Sequence, residues 1–248
     1  FYLFFMPDFS RPVYKNQTWF DAMAGEFKAG EGTAAAAFLP ARAQFMHILG
    51  YLAGKWPHTL ATQPGGTSRT IGTSEKVRIR ALLSEFRHYL ERRVFGDSLE
   101  AIASLDSADA LQSWIAGRPA NASDFRRFLE IATALSLDQL GHANTAFMSY
   151  GCYKLEAGTL FQRGVWDTKA GELDPAYITE DLSHAWMAGA DTPRHPQQGV
   201  TLPVAEKEGA YSWCKAPRLN GRVVETGPLA RQLIDGHPLA RDLATQSG

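Results

Sequence analysis

The sequence predicts a mainly α-helical fold with small β-elements, an α+β architecture. Three segments repeat apolar residues at i, i+3, i+4 and i+7, the spacing of one face of a helix. Short runs with strand character are confined to the C-terminal part of the chain. There Asn220-Gly221, flanked by Leu219 and Val223, is the strongest hairpin signal in the molecule.

From the beginning of the chain, Phe1-Tyr2-Leu3-Phe4-Phe5-Met6 is short, aromatic and stopped by Pro7. It reads as a buried strand or core segment cut open at its start, without the basic n-region of a secretory leader. The first helix is expected over Ala41–Ala53, with Phe45, Ile48, Leu49 and Leu52 as its stripe, Pro40 in its first turn and Gly54 as its stop. The second runs from Ser74 to Phe95, with Ile79, Leu82, Leu83, Phe86, Leu90 and Val94 inside, Ser74 as N-cap and Gly96 at the end. The third spans Ser123–Leu140 on Phe125, Phe128, Leu129, Ala132, Leu135 and Leu140, with Ser123 as its cap and Gly141 as its stop. Weaker helices are expected at Thr179–Met187 and Leu229–Ile234, separated by an irregular connector with Pro193, Pro196, Gly199 and Pro203. Strands are expected at Tyr150–Leu155, Gly158–Phe161, Gly209–Cys214 and Arg222–Glu225.

The chain has 248 residues and 25 Lys+Arg against 26 Asp+Glu, a net charge of −1. That length buries a real core without metal or disulfide staples. The balance excludes a protein that grips nucleic acid through clustered phosphate contacts. No uninterrupted apolar run approaches the roughly 20 residues of a membrane span. The two cysteines, Cys152 and Cys214, make no CxxC pair, zinc spacing or disulfide framework and read as small buried hydrophobes.

Generic catalytic signatures are scarce. None of the seven histidines sits in an HExxH frame, and neither a GxSxG elbow nor a phosphate loop is present. On the expected Thr179–Met187 helix, Glu180, Asp181 and His184 would share a face, either as a metal trio or as ordinary surface charge pairs. Two stretches concentrate unusual residues. Gly54-Lys55-Trp56-Pro57-His58, followed by Gln63-Pro64-Gly65-Gly66-Thr67, is either a plain turn whose Trp fills core space or a loop that presents side chains to a partner. In Tyr211-Ser212-Trp213-Cys214-Lys215-Ala216-Pro217-Arg218, Pro217 stiffens the backbone ahead of Arg218. Its five-donor guanidinium either binds an anion in a pocket or makes a surface salt bridge.

Taken together and in order, GKWPH…PGG (Gly54–Gly66), HPxxGxTxP (His195–Pro203) and YSWCKAPR…GPLAR (Tyr211–Arg231) resemble the large subunit of nickel–iron hydrogenases. The resemblance implies the long-helix core of that subunit, incomplete. The chain is expected to be one partial large-subunit domain over 1–248 that lacks both metal-binding ends, where the family carries its two CxxC motifs. The family's nickel is held by four cysteine thiolates, two of which bridge to an iron with carbonyl and cyanide ligands. By the same resemblance the complete protein oxidises H2 heterolytically to protons and electrons, and an iron–sulfur small subunit takes the electrons.

Residue by residue, Pro217 and Arg218 match the Pro-Arg whose guanidinium lies over the metals, and His58 matches a histidine on the electron-exit side facing the small subunit. No metal ligand is expected within this chain, which alone would be inactive. Leu219-Asn220-Gly221 replaces the more usual Tyr-Asp-Gly, Gly54 stands where a glycine pair is common, and Gln63 and Thr67 differ around PGG. These choices resemble the hydrogen-sensing and cyanobacterial-type uptake branch, which implies a cytoplasmic protein and, for a sensor, a signalling kinase as partner. The competing reading is a non-catalytic hydrogenase-like scaffold in an electron-transfer complex.

Overall fold

The structure, a computed structural model, describes residues 1–141, 146–167, 169–189 and 192–246. It divides into two compact units, residues 1–105 with 109–140, and residues 106–108 with 141–248.

The first unit is helical. The opening aromatic segment is not a strand, because it turns into the one-turn helix α1 (Phe5–Asp8), and only Tyr2 and Met6 of it are buried while Phe1, Leu3, Phe4 and Phe5 are exposed. Helices α2 (Phe20–Phe27) and α3 (Thr33–Ala53) follow. Their core gathers Tyr2, Met6, Phe9, Trp19, Phe20, Met23, Phe27 and Ala34, closed by Ile131 from further along the chain. Tyr2 stacks on Phe38 with ring centroids 4.7 Å apart. Helix α3 starts eight residues before the expected Ala41, so Pro40 lies inside it. Ala34-Ala35-Ala36-Ala37 favours helix strongly enough to carry the element through the proline. After a two-residue ribbon, β1 (Thr62–Gln63) with β2 (Gly66–Thr67), helix α4 (Thr73–Tyr89) packs back on α3. Phe45 and Phe86 stack there at 4.2 Å.

The expected N-cap, Ser74, is already inside α4. Gly72 precedes the helix instead, and its N–H donates to the Glu75 carboxylate at 2.9 Å. Beyond Tyr89 the helix widens into a π-helical stretch, Leu90–Phe95, that stops at Gly96 as expected. Two short helices, α5 (Leu99–Ala103) and α6 (Ala108–Ala116), were not legible as stripes. Helix α7 (Asp124–Ala134) begins at the expected cap, Ser123, whose Oγ accepts the Arg126 N–H at 3.3 Å. It ends well before Leu140, and its buried positions are Asp124, Arg126, Arg127 and Ile131 rather than the apolar stripe. Arg126 explains the reversal. Its guanidinium lies 3.7 Å from the Trp114 ring centroid and donates to the terminal carbonyls of α6, Trp114 and Ile115.

The second unit contains the β-structure. The expected pair becomes a long antiparallel hairpin, β3 (Ala146–Leu155) with β4 (Gly158–Asp167), to which β5 (Lys169–Gly171) adds. The segment Thr179–Met187 is not a helix. Ile178–Asp181 forms strand β6, paired antiparallel with β7 (Ala216–Leu219) in the register Thr179↔Arg218, Glu180↔Pro217. Leu182, Ala185 and Trp186 keep helical spacing, but the ladder to β7 takes up the backbone of Ile178–Asp181, and this tertiary pairing overrides the local pattern.

Gly209–Cys214 does not form a strand either; it contributes only a bridge between Ala185 and Ser212. Asn220 (φ 49°) and Gly221 (φ 73°) make the expected two-residue turn, with Leu219 and Arg222 exchanging both backbone hydrogen bonds at 2.9 Å. Arg222–Glu225 continues only as a parallel bridge from Glu225 to Phe147. Helix α8 (Pro228–Asp235) covers the expected Leu229–Ile234 and buries Ala230 and Leu233, and α9 (Pro238–Gln246) follows it. Among the described residues no helix is long and apolar enough to cross a membrane.

Candidate functional site

Arg218 sits on β7, so strand alternation decides what surrounds it. Thr179, Asp181, Ala216 and Arg218 share one face of the β6–β7 ribbon, while Glu180, Lys215 and Pro217 share the other. On the first face, Arg218 Nη2 lies 3.5 Å from Asp181 Oδ2, with about a quarter of each side chain exposed, 27%. Its Nη1 donates to the Pro217 carbonyl at 2.9 Å. Asp181 is held in turn, because its Oδ1 accepts the Ser183 N–H at 2.9 Å. That bond and a side-chain hydrogen bond from Ser183, with a lesser pull from the charge of Arg218, hold its carboxyl below the ordinary carboxylate value.

On the opposite face, Lys215 Nζ bonds Glu180 Oε2 at 3.1 Å in a mostly buried ion pair. The backbone N–H of Glu180 donates to the Arg194 carbonyl at 2.8 Å, tying β6 to the proline-rich connector. In that connector His195 Nδ1 accepts the Gln197 N–H at 3.2 Å and caps a 3₁₀ turn, Pro196–Gln198. Gly199 then runs so close to β6 that a Cβ there would lie 2.5 Å from Glu180 Oε2. A cavity of about 170 Å³ opens beside it, lined by Glu180, Leu182, Arg194, Gly199, Val200 and Leu202. Gly199→Ala is therefore expected to push the flexible end of the Glu180 side chain off Lys215 and, since that carboxylate can give way, to destabilise the second unit by no more than about 1 kcal/mol. A shift in the urea midpoint with an unchanged m-value checks this.

The trio Glu180, Asp181 and His184 does not come together. On a strand the two carboxylates point to opposite faces, each paired with a different cation, and His184 Nδ1 lies 3.2 Å from the Gly209 carbonyl and stacks its ring on Tyr211. Among the described residues no group of three or more His, Cys, Asp or Glu is placed to hold a metal ion. Cys152 and Cys214 are both free and exposed, not buried as composition suggested. Cys152 lies on a hairpin and Cys214 just ahead of β7, neither with an apolar layer over it.

His58 belongs to the first unit, Arg218 to the second. The loop after α3 is built rather than loose. Thr59 Oγ1 donates to the Ala53 carbonyl at 2.6 Å and accepts the Ala61 N–H at 3.0 Å, and Ser68 N–H closes on Ala61 at 2.8 Å. The Trp56-Pro57 bond is cis, and His58 takes a left-handed φ of 62°. Trp56 does not fill the core, since it is 60% exposed, with His58 and Leu60 exposed beside it. Of the two readings of this loop, the geometry matches the one that presents side chains outward.

The family model described as nickel-dependent hydrogenase matches residues 36–245, nearly the whole chain. The chain belongs to the nickel-dependent hydrogenase family. It is 29% identical over 122 residues to the uptake hydrogenase large subunit of Rubrivivax gelatinosus, which is 41% of this chain and 20% of that protein. It is 34% identical over 112 residues to the uptake hydrogenase large subunit of Rhizobium leguminosarum bv. viciae, 38% of this chain and 18% of that one. The fold is similar to that of the [NiFeSe] hydrogenase of Desulfovibrio vulgaris Hildenborough, with a TM-score of 0.66 at 21% identity over 90% of this chain and 40% of that one. The chain thus aligns with well under half the length of the hydrogenase chains it matches. The mainly α fold with small antiparallel sheets is that of a hydrogenase large subunit. The described residues of this family member include no cluster of His, Cys, Asp or Glu that could hold nickel.

Sequence reasoning singled out Arg218 and Pro217 but missed the partner of Arg218, placing Asp181 on a helix face with His184. The signal in the sequence was slight: a single cation, Arg218, and an anion, Asp181, on two short segments whose register nothing local sets.

Proposed function

We propose that the chain is the central scaffold of a nickel–iron hydrogenase large subunit, and that the complete protein oxidises H2 and passes the electrons to an iron–sulfur small subunit. The family match across residues 36–245 carries the reading. Arg218, delivered from a two-stranded ribbon and partly open to its surroundings, supports it. In the complete protein the nickel–iron centre, with carbonyl and cyanide ligands on iron and cysteine ligands from outside this chain, supplies the cleavage of H2. The chain's own contribution is electrostatic: Arg218 is a fixed cation beside developing negative charge, stiffened by Pro217. Arg218 is not the proton acceptor in this reading, because a guanidinium offers five N–H donors and no acceptor. Trp56, His58 and Leu60 form part of the contact with the small subunit, on the electron-exit side.

The two units act as parts of one large-subunit domain in a cytoplasmic protein. Leu219-Asn220-Gly221 in place of Tyr-Asp-Gly favours a sensing branch, in which a signalling kinase reads the H2 state.

The complete protein, purified with its small subunit, is expected to bind nickel and to reduce a redox dye only when H2 is supplied. Elemental analysis and an anaerobic dye assay measure both. A well-assembled complex with neither nickel nor H2-dependent reduction would replace this reading with the non-catalytic scaffold.

A further inference from the structure

We infer that Asp181 is a positioning residue for Arg218, and that the Glu180–Lys215 pair on the opposite face fixes the strand from which it acts; this rests on the role proposed above for Arg218. An arginine on an exposed ribbon samples many rotamers, and side-chain entropy opposes any single one. Here two contacts select the orientation. The Pro217 carbonyl accepts from Nη1, and the Asp181 carboxylate attracts Nη2 from two residues along the neighbouring strand. Asp181 can act this way because it is itself oriented by the Ser183 N–H.

Backbone placement is secured separately. Glu180 bonds Lys215, three residues ahead of Arg218, while its N–H is taken by Arg194 and its carboxylate abuts Gly199. Two adjacent carboxylates thus divide the work, one fixing where the strand lies and the other where the guanidinium points.

The test uses phenylglyoxal, which modifies free guanidinium groups, on the 248-residue chain, with rates for each arginine read by peptide mass spectrometry. Neither metal nor turnover is needed. Arg231, in the same unit, is the reference for an intact fold. Asp181→Asn is expected to raise the modification rate of Arg218 about fivefold, the upper range for an ion pair at this exposure. The Arg231 rate should stay fixed, and Asp181→Glu should restore most of the protection. An Arg218 rate unchanged in Asp181→Asn overturns the inference. So does a rise shared by Arg231 or retained in Asp181→Glu, because it assigns the change to the fold.

In the complete enzyme, Asp181→Asn should lower kcat more than it raises KM. If the labelling result holds but Arg218→Lys turns over at the wild-type rate, the positioning stands and the proposed role of Arg218 falls.

Discussion

In the complete enzyme, Arg218→Lys is expected to cut H2-dependent dye reduction by about 10²–10³-fold, the usual cost of losing one preorganised donor in a site that develops charge. The nickel content should not change, because Arg218 belongs to no ligand set. Charge alone is kept in this variant, so the loss isolates geometry. Lysine offers a compact ammonium on a flexible stem, whereas arginine offers a planar fork with donors in fixed directions. In the ribbon that fork is used at both ends, with Nη1 on the Pro217 carbonyl and Nη2 toward Asp181. One ammonium cannot satisfy both and still face outward. Arg218→Ala should be no better than Arg218→Lys. Wild-type turnover by a nickel-loaded Arg218→Lys enzyme would remove Arg218 from the chemistry.

The largest stability loss is expected from Asp124→Ala, about 3 kcal/mol, followed as the urea midpoint of the first unit by tryptophan fluorescence. Asp124 is 3% exposed at the start of α7. Its Oδ2 accepts the Tyr2 hydroxyl at 2.5 Å and Arg93 Nε at 2.9 Å. Alanine leaves a buried hydroxyl without its acceptor and a partly covered guanidinium without its anion, and removes a negative group from a helix N-terminus. Burial is also the main cause of a Tyr2 phenol held far above its ordinary value, so Tyr2 remains a donor at every working pH.

Asp124→Asn keeps the shape and should lose less. It should also change the pH dependence in a defined direction. Burial holds the Asp124 carboxyl above its ordinary 3.8, against the opposing pull of Tyr2 and Arg93. As pH rises from that value the unfolded chain gives up this proton first, and the folded state binds more protons than the unfolded one. Stability contributed by this group therefore falls with rising pH just above 3.8, and the asparagine variant should lack that slope.

The long helices were legible because a one-sided apolar stripe needs no partner to be recognised, as at Ile79, Leu82 and Phe86 in α4. The Asn220-Gly221 turn was legible for a different reason: few dipeptides place both φ values above zero without strain, so the chemistry is local. Failures came where tertiary partners overrode local pattern. Arg126 and Arg127 are buried more deeply than Phe125 and Phe128 because the terminal carbonyls of α6 and Glu130 receive them, and neither partner is visible from α7 alone. Glu180 and Asp181 read as a helical pair because their strand partner lies more than thirty residues away. For the candidate site, the motif pointed to Arg218 and Pro217. The ion pair that orients the guanidinium, and the approach of Gly199 to Glu180, arise only when the connector folds back on β6.

The division of the β6–β7 ribbon into two chemically different faces sets rules for insertions and deletions. Side chains alternate with a period of two, so one residue added between Ala216 and Arg218 would send the guanidinium to the side occupied by Lys215 and Glu180, and one added between Thr179 and Asp181 would turn the Asp181 carboxylate away from it. An added pair would keep the faces but slide the guanidinium past Asp181. The long excursion between the strands carries no such parity, and length changes there are tolerated as long as Ser183 and Lys215 stay beside the strands and Arg194 and Gly199 return to β6. Natural length variation in homologous chains should therefore gather in the excursion and spare both four-residue strands and the two-residue turn that follows the second.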